Sequence, residues 1–216
     1  MTNLLKKILF LAGIVYAQMA AAQTRADGMT AMQLEEWDKA INIYSALSKA
    51  TPGDQDILLT LGNAYLAKGD NAKAAETFKA AYDAKPEGPL AYVALARTAL
   101  LQNNSAETDN QLKKASKNAR KDMVALRQIG ETYLFYVSPG SKKPNFTRAE
   151  ELLKAAVDVN GKDFATLMSL AYTYKEIPNG GLAAQYYEYA EAIEPKNPLP
   201  KLMIAKVYKA AKVPDK

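Results

Sequence analysis

The sequence of 216 residues contains no cysteine and no histidine. Without them there is no disulfide, no thiolate nucleophile and no imidazole base, and zinc or copper would lose their usual ligands. Carboxylate pairs such as Glu150-Glu151 are helix neighbours that point about 100 degrees apart, and there is no glycine-rich phosphate-binding loop. The sequence therefore predicts a protein that is not an enzyme and holds no metal or cofactor.

The composition otherwise fits a folded helical protein. Hydrophobic residues make up 49% of the chain and charged residues 24%, which is enough to build a core of ordinary size. The formal charge is +5, and it falls to +3 if Lys6 and Lys7 are removed with a leader. Such a mild excess of positive charge argues against nucleic acid as a partner.

The first 22 residues have the pattern of a secretory signal peptide. Lys6 and Lys7 precede an apolar run at 8–17, and three alanines follow, ending at Ala22. An uncleaved membrane anchor is the alternative, but the run is shorter than the roughly 20 residues of a spanning helix. We expect cleavage before Gln23 and export to the periplasm or cell envelope.

A small residue recurs every 34 residues along most of the chain. A second set of positions keeps the same period but contains one step of 41, between Thr108 and Ala149, so that seven residues have been added inside one repeat. The first set is Gly28, Gly62, Ala96 and Gly130, followed by Ala171 and Ala205.

Each repeat has the pattern of a helical hairpin. In residues 55–86 apolar side chains fall at helical spacing on both sides of a break at Gly69-Asp70. Gly62 and Ala74 are expected to be small because the two helices cross there at close range, and Phe78 fills the space beyond the crossing.

A 34-residue period with a small residue in each of two helices resembles the tetratricopeptide repeat. The resemblance implies an all-α fold, a right-handed α-solenoid of antiparallel helix hairpins with about five and a half units. The predicted divisions are a signal peptide at 1–22, a first unit trimmed by cleavage at 23–54, units at 55–88, 89–122, 123–163 and 164–197, and a half-repeat or capping helix at 198–216.

Two units depart from the family pattern. Unit 89–122 is degenerate, with Thr108 where alanine is usual. Unit 123–163 contains a loop insertion at 137–146, which its prolines and glycine predict, and Thr147 is expected to cap the next helix. Lys142 and Lys143 make this loop a candidate contact for a partner or, peripherally, for an anionic membrane; a neutral surface insertion is the alternative.

The resemblance also places a partner-binding groove on the concave face, which the first helix of each hairpin lines. The groove is apolar with several cations, and it would suit an extended or helical protein segment of acidic character. The alternative is that Arg97 and Lys175 only solvate the groove wall. The predicted groove residues are Leu59, Asn63, Arg97, Arg127, Glu131, Met168, Tyr172, Lys175 and Lys206.

Two functions follow from these patterns. The first is an exported, non-catalytic scaffold or adaptor for protein–protein interaction in envelope assembly or secretion. The alternative is that the chain is the amino-terminal part of a longer protein, whose further domain carries an enzymatic or cell-wall-binding role.

Overall fold

The computed structural model describes residues 25–211, and within this range the chain forms eleven helices and no strand. The predicted signal peptide at 1–22 lies outside the described residues. The helices are α1 (25–33), α2 (Trp37–Ala50), α3 (Gln55–Lys68), α4 (Asn71–Ala84), α5 (Pro89–Leu101), α6 (Ser105–Ala119), α7 (Met123–Phe135), α8 (Phe146–Val159), α9 (Phe164–Glu176), α10 (Gly180–Ile193) and α11 (Leu199–Ala211).

The helices form consecutive hairpins joined by short turns. From α2 onward each helix packs against the next one in sequence, and α1 meets α2 where Gly28 faces Tyr44. The prediction of an all-α helical repeat is confirmed.

The first helices of the hairpins lie side by side in a curved row. The curve is tight enough that two first helices also touch across the one between them. Helix α3 contacts α5, α5 contacts α7, and α7 contacts α9. In addition α3 contacts α7, so the second and fourth hairpins meet across the third. This curvature brings side chains from distant repeats to one concave face.

The recurring small residues are required by close helix crossings. A Cβ atom at Gly62 would lie 2.3 Å from Cε1 of Phe78, and one at Gly130 would lie 2.9 Å from Cγ of Leu153. At Gly28 the nearest atom is Cε2 of Tyr44, at 2.8 Å. The large side chain of the second helix therefore fills the space that the glycine leaves, as expected for Gly62 and Phe78.

An aspartate or asparagine directly precedes most of the helices and caps them. Its side chain accepts a hydrogen bond from the backbone N–H three residues later, which satisfies a group that the helix leaves unpaired. The residues are Asp54, Asp70, Asn104, Asp122, Asn145, Asp163 and Asn179. The expected cap at Thr147 is wrong: Asn145 accepts from the N–H of Arg148 at 3.0 Å, and α8 begins at Phe146.

Residues 136–145 connect α7 to α8. Tyr136 anchors the start of this segment, because its side chain is buried and its hydroxyl donates to the carbonyl of Ser105 at 3.2 Å. Lys142 and Lys143 are exposed further along. The loop therefore leaves a fixed point on the third hairpin and projects into solvent.

Helix α11 packs against α10 through one stripe of side chains, which includes Met203 and Val207. Leu202 and Tyr208, on other sides of the same helix, are 42% and 53% exposed. Among the helices of residues 25–211, none combines the length and the apolar character needed to cross a membrane.

We expect Gly62→Leu to lower the free energy of unfolding by about 3 kcal/mol or more, because the new side chain must displace Phe78 from a packed crossing. Urea denaturation measures this loss. Hydrogen exchange should show protection falling first in α3 and α4 and in the helices that they contact.

Gly181→Leu is the matched control. A Cβ atom there would have no neighbour closer than 3.9 Å, so this variant should change the free energy of unfolding by less than about 1 kcal/mol. Equal losses from the two variants would contradict the close-crossing interpretation.

Candidate functional site

The first helix closes the concave face by lying against the fifth hairpin. Nδ2 of Asn197 donates to Oγ1 of Thr30 at 2.8 Å, although the two residues are 167 positions apart. Ala26 belongs to the same cluster of buried residues as Phe164 and Met168. These contacts convert the concave face into a central cavity of about 840 Å³.

The wall of the cavity is largely apolar and aromatic. Helices α1, α3, α5, α7 and α9 contribute side chains, together with one residue at the start of α2, one near its middle, and residues at the end of α10. Trp37, the single tryptophan of the chain, is among them. The larger apolar and aromatic lining residues are Met29, Met32, Trp37, Tyr44, Ile57, Leu66, Leu100, Leu134, Phe135, Phe164, Tyr172 and Ile193.

Arg127 is the centre of a buried ionic cluster on this wall. Its Nη2 lies 2.6 Å from Oδ1 of Asp56, its Nη1 lies 3.1 Å from Oε1 of Glu131, and its Nε lies 3.7 Å from Oδ2 of Asp163. Burial alone would lower the pKa of Arg127, but the charges of these carboxylates raise it well above its usual range. The guanidinium is therefore firmly charged and both of its Nη atoms are paired, but its buried Nε has no hydrogen-bond partner within residues 25–211.

Asp56 links three helices through the same cluster. It accepts from Nε2 of Gln128 at 2.6 Å and from Nη1 of Arg25 at 3.1 Å, while Nη2 of Arg25 donates to Asp54 at 2.7 Å. Burial acts to raise the pKa of Asp56, but Arg127, Gln128 and Arg25 together hold it below its ordinary value. Asp56 thus joins α1 and α7 to α3.

Arg97 lies behind this wall and is fully buried. Its Nη1 donates to the carbonyl of Leu59 at 3.3 Å, its Nη2 to the carbonyl of Gln128 at 2.9 Å, and its Nε to Oγ1 of Thr132 at 3.1 Å. Burial lowers the pKa of Arg97 to about 10, so the side chain is still charged at neutral pH. From its position on α5 it holds α3 and α7 together.

The structure divides the predicted groove residues into three groups. Asn63, Arg127, Glu131 and Tyr172 do line the cavity. Leu59, Arg97 and Met168 do not, because each is 0% exposed beneath the wall; the assignment of these three to an accessible groove is wrong.

The third group lies outside the cavity wall. Lys175 pairs with Glu176 at 3.0 Å and lies 4.7 Å from the ring centroid of Tyr172. Lys206 of α11 and the loop residues Lys142 and Lys143 are exposed and are not among the lining residues. No group of three or more acidic residues within 25–211 is arranged to hold a metal ion.

The charges of the wall differ from the predicted basic groove. The wall carries three cations and five carboxylates, which is a formal charge of −2. The sequence prediction used the inward positions of the first helices, and these include Arg127. It missed acidic residues at helix starts and in turns. Asp163 is an example, because it is the N-cap of α9 and also a partner of Arg127. The charged lining residues are Arg25, Arg127 and Lys162, with Glu35, Asp56, Glu131, Asp163 and Glu194.

Comparison with known proteins agrees with this architecture. The family model of the tetratricopeptide repeat matches residues 25–89 and 59–107. The structure of TTC0263, a thermophilic tetratricopeptide repeat protein in Thermus thermophilus, is 19% identical with a TM-score of 0.54, and the match covers 88% of this chain and 99% of that one. No curated protein matches the sequence.

Two further solved structures are similar to this chain over only part of their own length. Yeast Tom70 is 16% identical with a TM-score of 0.52, over 81% of this chain and 36% of that one. Cut9-Hcn1, a hetero-tetramer of the APC/C, gives 18% identity and a TM-score of 0.49, over 83% of this chain and 35% of that one. This chain therefore spans about a third of the length of these two proteins.

Arg127→Met should lower the free energy of unfolding by about 3 to 5 kcal/mol, because it leaves buried carboxylates without their cation. Urea denaturation of the purified protein measures the change. Arg148→Met is the matched control, since Arg148 forms an exposed pair with Glu151 at 2.7 Å and should cost less than about 1 kcal/mol. Similar costs for both variants would contradict a buried cluster.

The stability that Asp56 contributes should depend on pH in the acid range. Its pKa is lower in the folded protein than in the unfolded chain, where it is about 4. The contribution is therefore complete above that value and is lost as the pH falls through the folded-state pKa. The difference in unfolding free energy between wild type and Asp56→Asn should therefore begin to narrow as the pH falls below about 4, and a difference that stays constant would refute this role.

Proposed function

We propose that this chain, in which residues 25–107 match the family model of the tetratricopeptide repeat, is a non-catalytic scaffold for protein–protein interaction that holds a short segment of its partner in the central cavity. The observation that carries this proposal is the cavity itself, whose wall presents apolar and aromatic side chains from most of the repeats. Covering such surface removes it from water, which favours association.

The size of the cavity limits what the partner inserts. A volume of about 840 Å³ lies in the range of roughly 300 to 1,000 Å³ that single bound ligands occupy. A loop or chain end of a few residues fits this space, whereas a long helix does not. The rest of the partner would then contact the outside of the scaffold.

We also propose that the protein works in the periplasm or cell envelope, in envelope assembly or secretion. The support is the sequence of residues 1–22, in which two lysines, an apolar run and three alanines precede Gln23. The function of the cavity does not depend on this location.

A photo-cross-linking amino acid at position 134 tests both proposals in cells that make the protein naturally. Leu134 lines the cavity, so this site should give adducts with a specific protein in the envelope fraction. The amino terminus of this protein within the adduct should be Gln23. The control is the same replacement at Glu76, an exposed residue of α4.

Three outcomes count against the proposals. Equal labelling from positions 134 and 76, or no protein adduct from position 134, would overturn the cavity as the partner site. Adducts confined to the cytoplasm would overturn export alone.

A further inference from the structure

We propose that the segment bound in the cavity carries a positive charge between apolar side chains, and this inference rests on the proposed function. A lysine, an arginine or a free amino terminus would supply that charge. The inference reverses the expectation of an acidic partner, and it follows from which charges of the wall are already neutralised.

Two of the three cations of the wall are already paired with carboxylates. Arg127 is 5% exposed and faces three carboxylates, and Arg25 is paired with Asp54 and Asp56. Lys162 is an exposed residue at the rim. An acidic segment entering the cavity would therefore meet a wall of net negative charge whose two guanidinium groups already face carboxylates.

The charges just behind the wall do not change this balance. Arg97 adds one positive charge behind the lining residues, and Asp54 adds one negative charge beside Arg25. The lining residues therefore keep a formal charge of −2, which favours a positively charged partner segment at close range.

Acceptor atoms on the wall lack donors. Oε1 of Glu131 accepts from Nη1 of Arg127 and from Oγ of Ser169, at 3.1 and 2.9 Å, but within residues 25–211 nothing donates to its second oxygen. The side-chain oxygen of Asn63 is buried and also has no donor in that range. The unpaired buried acceptor of Asn63 favours a ligand that brings an N–H group. The second oxygen of Glu131 adds a further acceptor, while Nε of Arg127 is the one buried donor of the wall that lacks a hydrogen-bond partner within residues 25–211.

Aromatic rings supply the second element of a cation site. Trp37, Tyr44, Phe135, Phe164 and Tyr172 line the cavity beside the carboxylates. The face of an aromatic ring attracts ammonium and guanidinium groups. The protein already uses this contact, because the guanidinium of Arg97 lies 5.8 Å from the ring centroid of Phe135. Rings together with carboxylates select a cation with an apolar stem over an anion.

The fluorescence of Trp37 reports binding directly, because this residue lines the cavity and is the only tryptophan. The probes are three pools of capped hexapeptides whose flanking positions vary among leucine, phenylalanine, methionine and alanine. The central residue is lysine, norleucine or glutamate. The lysine pool should bind at least about tenfold more tightly than the glutamate pool, with norleucine between them.

Glu131→Gln keeps the shape of the side chain and removes its charge. The lysine pool should lose about tenfold in affinity for this variant, while the norleucine pool changes little. Glu188→Gln is the control, since Glu188 is exposed on α10 and should leave all three affinities unchanged. Salt at about 0.5 M should weaken the preference for lysine.

The results separate this inference from the proposed function. Equal or tighter binding of the glutamate pool, or no effect of Glu131→Gln on a lysine preference, overturns the charge assignment and leaves the cavity as a peptide site. Failure of all three pools to bind, with the protein folded by circular dichroism, overturns the inference. Cross-linking from position 134 then decides whether the proposed function survives.

Discussion

The ion pair between Asp56 and Arg127 sets the curvature on which the rest of the structure depends. Asp56 lies on α3 and Arg127 on α7, in hairpins that are separated by a whole repeat. Gln128 reinforces the contact by donating to Asp56 and to Thr60. Because Arg127 is almost fully buried, separating the two helices would leave several charges without a partner at once. The tight curve then allows α1 to reach the fifth hairpin and close the cavity.

This arrangement places charge where hydrophobic packing alone would be a simpler source of stability. Buried ion pairs often contribute less than apolar side chains of the same volume, because both ions lose their hydration. Their geometry, however, is specific: three carboxylates converge on Arg127, and Arg97 bonds to carbonyls of two different helices. We interpret the cluster as the feature that fixes one curvature among the many that stacked hairpins can adopt.

The sequence predicted what is local to a repeat and missed what joins distant repeats. Gly62 and Phe78 are 16 residues apart within one repeat. The helical hairpin that the 34-residue period indicates was sufficient to predict their contact. Arg97 was placed in the groove by its position on a single helix, but α3 and α7 close over it. The bonds that do this join residues such as Asp56 and Gln128, 72 positions apart, and no periodicity in the sequence reveals them.

Contacts of this kind also change how the repeats act together. In an open solenoid each unit touches only its neighbours, and stability is close to a sum of local terms. Here Asp56 couples the first, second and fourth hairpins, and Asn197 couples the first to the fifth. A segment in the cavity touches side chains from most of these units, so its binding free energy is shared among them. Binding should therefore stabilise the closed arrangement as a whole, because opening at any one of these contacts would remove part of the wall.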